Sequence, residues 1–73
     1  MNNLKLNGRV PRNAEEEIKI TSGVYWNIPV VDIRWYKKDT ATRKGIRMNL
    51  QEARKVRHML DKAIRSLAQN EEE

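Results

Sequence analysis

Arg34 and Tyr36 stand two positions apart in a run of β-forming residues, so a strand would place both side chains on one face. A basic segment containing Arg43 and Lys44 follows this run. Aromatic rings stack on the faces of bases and cations attract phosphates, and the combination on an open sheet is typical of proteins that hold a single nucleic-acid strand. The chemistry indicated is therefore stacking and phosphate binding.

Catalytic chemistry has no comparable support. A nucleophile needs a positioned base, and His58, the only histidine, falls among lysines and arginines on a predicted solvated helix face. Asp32 shares its predicted face with Arg34, which favours an ion pair or a hydrogen bond within a turn. The three glycines are scattered along the chain, so they form no glycine-rich loop that could hold a phosphate. The lack of cysteine excludes disulfides and thiolate sites. We expect no enzyme, no metal and no other cofactor.

The charge distribution indicates a polyanionic partner. Net charge is +5, and six of the ten acids lie in two triplets at 15–17 and 71–73. Residues 18–70 hold 12 bases against 4 acids, a balance of +8. Such a basic body favours nucleic acid, although a surface tuned for solubility is the alternative. No apolar run approaches the about 18 residues that a membrane span needs, and the start lacks the apolar core of a signal peptide. We expect an intracellular protein, cytoplasmic or nucleoid-associated, with no membrane partner.

The elements that must position these side chains are predicted to be a sheet followed by one helix. Residues 1–14 are interpreted as a flexible basic arm, 15–70 as the binding domain and 71–73 as an acidic tail. Strands are expected over 15–21 and 24–27, joined by a turn at Ser22 and Gly23. The strongest strand spans about 30–38, and a loop over 40–44 leads to a last strand over 45–48.

The C-terminal helix is predicted from a capping box, with Asn49 before the helix and Glu52 three residues on. Its apolar arc covers roughly half the helix, wider than the about 100° needed for one packing surface. One flank can cover the sheet, and a second copy of the chain is the simplest cover for the other. A 73-residue chain is also marginal as a monomer. The predicted dimer interface is Val56, Met59, Leu60, Ala63, Ile64 and Leu67.

Two runs carry a resemblance to a known family. One reads V-D-I-R-x-Y from Val31, and the other reads R-K-G-I-x-M-N from Arg43. Followed by a capped helix, they resemble the C-terminal domain of the transcriptional coactivator positive cofactor four, whose bacterial and phage relatives are single-stranded-DNA-binding proteins. The resemblance extends from about Val30 to Leu67. It is looser over 15–27 and absent from the first fourteen residues.

The resemblance implies an α+β fold of order β-β-β-β-α, with a curved antiparallel sheet, and a homodimer in which two β-ridges form a channel for single-stranded DNA. Arg34 and Tyr36 match the family's contact positions on strand three, and Arg43 and Lys44 match its basic loop. The hairpin around 27–30 is shorter here, so the family's loop aromatics lack clear counterparts and Trp26 is the candidate replacement. The regulatory arm of the eukaryotic coactivator is missing, which favours a bare binding module.

Several residues keep two interpretations. Trp35 alternates with Ile33 and is assigned to the core, whereas Trp26 is balanced between core and contact. The partners expected are single-stranded DNA or possibly RNA, the chain itself, and transcription or replication proteins. Rival functions are a coactivator-like module that docks an acidic protein, and a small duplex-binding repressor, which would need a second helix. The candidate nucleic-acid contacts are Lys19, Tyr25, Trp26, Asn27, Arg34, Tyr36, Lys37, Arg43, Lys44 and Arg47.

Overall fold

Alternating residues and two tight turns build a four-stranded sheet in the computed structural model, which describes residues 4–71. All neighbouring strands are antiparallel, in the order β1-β2-β3-β4, and a single helix follows. The predicted α+β fold of order β-β-β-β-α is confirmed. The elements are β1 Lys5–Pro11, β2 Glu16–Tyr25, β3 Ile28–Lys37, β4 Thr40–Asn49 and α1 Leu50–Glu71.

Both long hairpins close with two-residue turns. Trp26 and Asn27 connect β2 to β3 with φ of 53° and 63°, and Lys38 and Asp39 connect β3 to β4 with φ of 50° and 65°. Positive φ at both central residues is the signature of a type I′ turn, whose twist matches that of the flanking strands. The turn predicted at Ser22 and Gly23 is wrong, because these residues lie inside β2.

The first strand also departs from the sequence interpretation. The predicted flexible arm is wrong over β1, which pairs with β2 and is further held by a 2.7 Å bond from Arg9 Nε to Glu17 Oε1. The argument for an arm counted apolar groups and omitted the backbone hydrogen bonds that the edge of β2 offers. Residues 1–3 of that arm and 72–73 of the predicted tail lie outside the described residues.

The sheet has two chemically different faces. Because side chains alternate along a strand, the register separates an apolar face from a polar face. In the described part of the chain, the buried hydrophobic residues are Val30, which shares its side of β3 with Asp32, and Met48, so much of the apolar face is left half-covered. The apolar face carries Ile18, Ile20, Val31, Ile33, Trp35, Ile46 and Met48. The polar face carries Arg9, Glu17, Lys19, Tyr25, Asp32, Arg34, Tyr36 and Arg47.

A bulge interrupts β4, where a loop was predicted. Arg34 pairs with Gly45 and Tyr36 with Ala41, so residues 42–44 together lie opposite Trp35. Thr42 fixes the bulge by donating from Oγ1 to the Trp35 carbonyl at 2.7 Å. Gly45 follows it, and a Cβ there would lie 2.6 Å from the Ile33 carbonyl oxygen, so only glycine fits. The bulge thereby sets where the basic segment leaves the sheet.

The helix begins as predicted but does not cover the sheet. Asn49 N donates to Glu52 Oε1 at 2.9 Å and Glu52 N donates to Asn49 Oδ1 at 2.8 Å, which confirms the capping box. Beyond Ala53, the helix residues up to Gln69 are exposed. The radius of gyration is 14.3 Å, against about 11 Å for a compact chain of this length. The expectation that one flank of the helix packs on its own sheet is therefore wrong.

In the part of the chain that the structure describes, no helix is long and apolar enough to cross a membrane.

Candidate nucleic-acid interface

Five of the predicted contact residues lie together on the polar face. Lys19 pairs with Arg34, Glu17 pairs with Tyr36, and Asp32 pairs with Arg47. The prediction that Arg34 and Tyr36 share one face is confirmed by this register. The residues brought together are Lys19, Tyr25, Arg34, Tyr36 and Arg47.

Asp32 organises the cations at the centre of this face. Asp32 is only 3% exposed. Arg34 donates to it from Nε at 3.0 Å and from Nη2 at 3.3 Å, and Arg47 donates from Nε at 2.9 Å. Arg34 also donates from Nη1 to the Thr42 carbonyl at 3.0 Å. Since a guanidinium has five N–H donors, two remain beyond these three bonds, and they are held in a fixed position.

Each tyrosine of the polar face has a cation against its ring. Lys19 Nζ lies 4.4 Å from the centroid of Tyr36, and Arg47 Cζ lies 5.2 Å from the centroid of Tyr25. Both distances are within the range of a cation–π interaction. Since Tyr25 pairs with Ile28, the backbone positions of the two tyrosines are eight residues of β3 apart, roughly 26 Å at the rise of a strand. The face therefore has a ring with an adjacent positive charge near each end.

Two carboxylates limit the positive charge of the same surface. Glu17 is buried and accepts from Arg9 at 2.7 Å, with Lys19 Nζ 3.7 Å away. Asp32 has two cationic partners as well. The strand residues of the polar face thus hold four cations against two acids, an excess of two positive charges, and Asp39 in the β3–β4 turn lies a further 4.0 Å from Lys19 Nζ. Arg9 was not among the predicted contact residues because it lay in the predicted arm. Its alignment with Glu17 depends on the pairing of β1 with β2.

Trp26 stands at the tip of the β2–β3 hairpin and is 80% exposed. Its ring meets Tyr25 edge to face, with centroids 5.9 Å apart. The two interpretations of Trp26 are therefore resolved in favour of an exposed side chain, because it occupies the turn and not a strand. Asn27, the second turn residue, has a structural reason for its type, since asparagine tolerates positive φ.

Two of the remaining predicted contacts, Lys37 and Lys44, do not join the polar face. Arg43 is exposed within the bulge. Lys37 and Lys44 instead border a groove beside Trp35, where Arg12 Cζ lies 4.3 Å from the indole centroid. Trp35 lies on the apolar face as predicted, but it is half-buried and is not enclosed in a core. The alternation of β3 and the bulge of β4 therefore place Lys37 and Lys44 beside Trp35 and away from the polar face.

The predicted dimer residues form an exposed stripe along α1. Val56, the least exposed of its large side chains, is 37% exposed, and Leu67 is 65% exposed. Ala63 is exposed as well. The apolar stripe is Val56, Met59, Leu60, Ala63, Ile64 and Leu67.

Comparison with protein-family models, with curated proteins and with solved structures found no match to this chain. The interpretation of the site therefore depends on the geometry of the polar face and on the motif residues from Val31 to Asn49.

Proposed function

We propose that the chain binds a single strand of nucleic acid along the polar face, with little dependence on sequence, in transcription, replication or recombination. The observation that carries this proposal is the pair of tyrosine–cation contacts on one open face, with the Asp32 network between them. Rings at Tyr25 and Tyr36 offer stacking surfaces that every base can use, because every base has a π-face. The cations beside them are suited to the phosphates.

The charge of the face favours backbone contacts that are moderate in strength. Four cations are partly neutralised by Glu17 and Asp32, so phosphate attraction and stacking must act together. The Asp32 carboxylate fixes Arg34 and Arg47 in place, which lowers the entropy lost when these side chains take up a phosphate. A preformed guanidinium beside an aromatic ring suits a strand whose bases are unpaired.

We also propose that the working form is a homodimer. The apolar stripe of α1, and the part of the sheet's apolar face that lies away from Trp35, are left without an intrachain cover over much of their area. A second copy supplies matching apolar surface at once, as the resemblance to positive cofactor four implies. Two polar faces in one assembly would extend the surface along which a strand can lie.

The function is tested by titrating fluorescein-labelled single strands, of DNA and of RNA, beside the matching duplex. We expect the single strand to bind about tenfold or more tightly, because pairing hides the base faces used in stacking. Tyr36→Leu, which fills similar space without a ring, should weaken single-strand binding by about 1–3 kcal/mol.

Tyr36→Phe is the matched control for that variant, since it keeps the ring and loses only the hydroxyl, and it should bind like the wild type. Equal affinity for single strand and duplex would refute the proposed function. Equal binding by Tyr36→Leu and Tyr36→Phe would remove the stacking role of Tyr36.

A further inference from the structure

A second cationic and aromatic cluster lies around Trp35, beside a groove that Tyr36 and Thr42 also line. Arg12 Cζ lies over the indole of Trp35 at 4.3 Å. Beside this contact is an open groove of about 250 Å³. We name the cluster the Trp35 corner, and its members are Arg12, Glu16, Trp35, Lys37 and Lys44.

Arg12 is held in place by the structure of the β1–β2 loop. Its backbone N–H donates to the Glu16 carbonyl at 2.9 Å. Within the same loop, Asn13 Oδ1 accepts from the N–H groups of Glu15 at 2.9 Å and Glu16 at 2.8 Å. These bonds fix the loop from which the Arg12 side chain reaches Trp35. The cation is therefore positioned over the ring before any ligand arrives.

The charge of the corner favours an anion. Arg12, Lys37 and Lys44 contribute three positive charges against the single carboxylate of Glu16. That carboxylate is also engaged, because Asn13 Nδ2 donates to its Oε1 at 3.2 Å. An indole with an arginine on its face, among further cations, suits a ligand that combines a flat ring with negative charge, since bases stack on both aromatic and guanidinium surfaces.

The bulge of β4 connects the corner to the polar face. Thr42 accepts from Arg34 Nη1 through its carbonyl and donates to the Trp35 carbonyl through its hydroxyl, at 3.0 Å and 2.7 Å. Lys44 N donates in turn to Thr42 Oγ1 at 3.2 Å. One residue thus links the central arginine of one surface to the tryptophan of the other. Arg43, which is exposed, lies between Thr42 and Lys44 in the sequence.

We infer that the Trp35 corner binds a further nucleotide of the same single strand, after the strand has passed from the polar face over the bulge of β4. The base stacks on the Arg12–Trp35 pair, and its phosphate lies against Lys37 and Lys44. This inference rests on the proposed function and adds a defined path to it. It predicts that strands too short to reach the bulge use the polar face alone.

The test is a series of single strands from about 4 to about 16 nucleotides, the range of site sizes for comparable sheet surfaces, titrated with the wild type and with Arg12→Gln. Lys38→Gln is the matched control, because it removes one exposed cation from the neighbouring turn, outside the corner. We expect Arg12→Gln to match the control on short strands and to bind long strands about five- to tenfold more weakly.

The second measurement follows Trp35 directly. In Trp26→Phe, Trp35 is the only tryptophan, and its fluorescence should fall on adding long strands and stay constant with short ones. If long strands bind the wild type while Arg12→Gln and Lys38→Gln agree at every length, or while Trp35 fluorescence stays constant, the corner is refuted and the proposed function survives. If no single strand of any length binds the wild type, both are refuted.

Discussion

The substitution Leu60→Asp tests whether the apolar stripe of α1 is an exposed surface or a dimer interface. In the single chain Leu60 is 54% exposed, so the carboxylate would stand in water. The cost would then be limited to the remaining burial of the leucine and the lower helix propensity of aspartate, about 1–2 kcal/mol together. A monomer should therefore tolerate the change.

In a dimer the same change has a much larger effect. Full burial of a large apolar side chain contributes about 1.5–3 kcal/mol. Five large stripe residues are 37–65% exposed, so their burial in both copies contributes about 8–15 kcal/mol, enough to offset the cost of association. Leu60→Asp removes one leucine from each copy and places a carboxylate there at a cost of a few kcal/mol. We expect a total near 6 kcal/mol, about four orders of magnitude in Kd.

The assay is light scattering and thermal melting over a range of protein concentrations from low micromolar upwards. The wild type should scatter as a dimer, and its Tm should rise with concentration because association stabilises the folded state. Leu60→Asp should lose both properties. His58→Asp is the control, since it adds the same charge on the opposite side of α1. A wild type of 8.6 kDa with a Tm independent of concentration, or a Leu60→Asp variant indistinguishable from His58→Asp, would refute the interface.

Three further substitutions address the sheet and its charges. Gly45→Ala should destabilise the fold by about 1–3 kcal/mol in urea denaturation, because the new Cβ meets the Ile33 carbonyl. Gly8→Ala is the control, since a Cβ at Gly8 would have no atom within 4 Å. An equal loss of stability in Gly8→Ala would contradict the steric argument. Trp26→Asn should keep the Tm within a few degrees, because relief of the left-handed φ, about 1 kcal/mol, offsets the lost ring contact. It should still weaken single-strand binding at least fivefold, and unchanged affinity would exclude Trp26 from the interface. Lys44→Ala should make the log–log salt dependence of binding shallower by about 0.7, and an unaltered slope would show that this lysine contacts no phosphate.

The features that follow local rules could be predicted from the sequence. Alternation placed Arg34 and Tyr36 on one face, and the spacing of Asn49 and Glu52 gave the start of the helix. Both depend only on residues close together in the chain, and the structure confirms both.

The predictions that were wrong concern features that depend on residues distant in the sequence or on unusual turn residues. The pairing of β1 is stabilised by the edge of β2, which the first eleven residues do not reveal. The type I′ turn at Trp26 lacks the glycine that normally marks such turns, while Gly23 supplied that signal at a position inside β2. The width of the apolar arc indicated that more than one surface covers the helix, but the direction in which α1 leaves the sheet is set by the geometry after Asn49.

The junction between β4 and α1 has a mechanical consequence. Asn49 ends the strand and Leu50 begins the helix, with no connecting residue between them. Twenty-two residues of helix make a lever about 33 Å long, clamped at one end by the Asn49–Glu52 pair. A rotation of about 5° at the clamp moves the far end by about 3 Å, so the twist of the sheet sets where the apolar stripe stands. A glycine inserted after Asn49 would turn this clamp into a hinge and release the angle between the two surfaces.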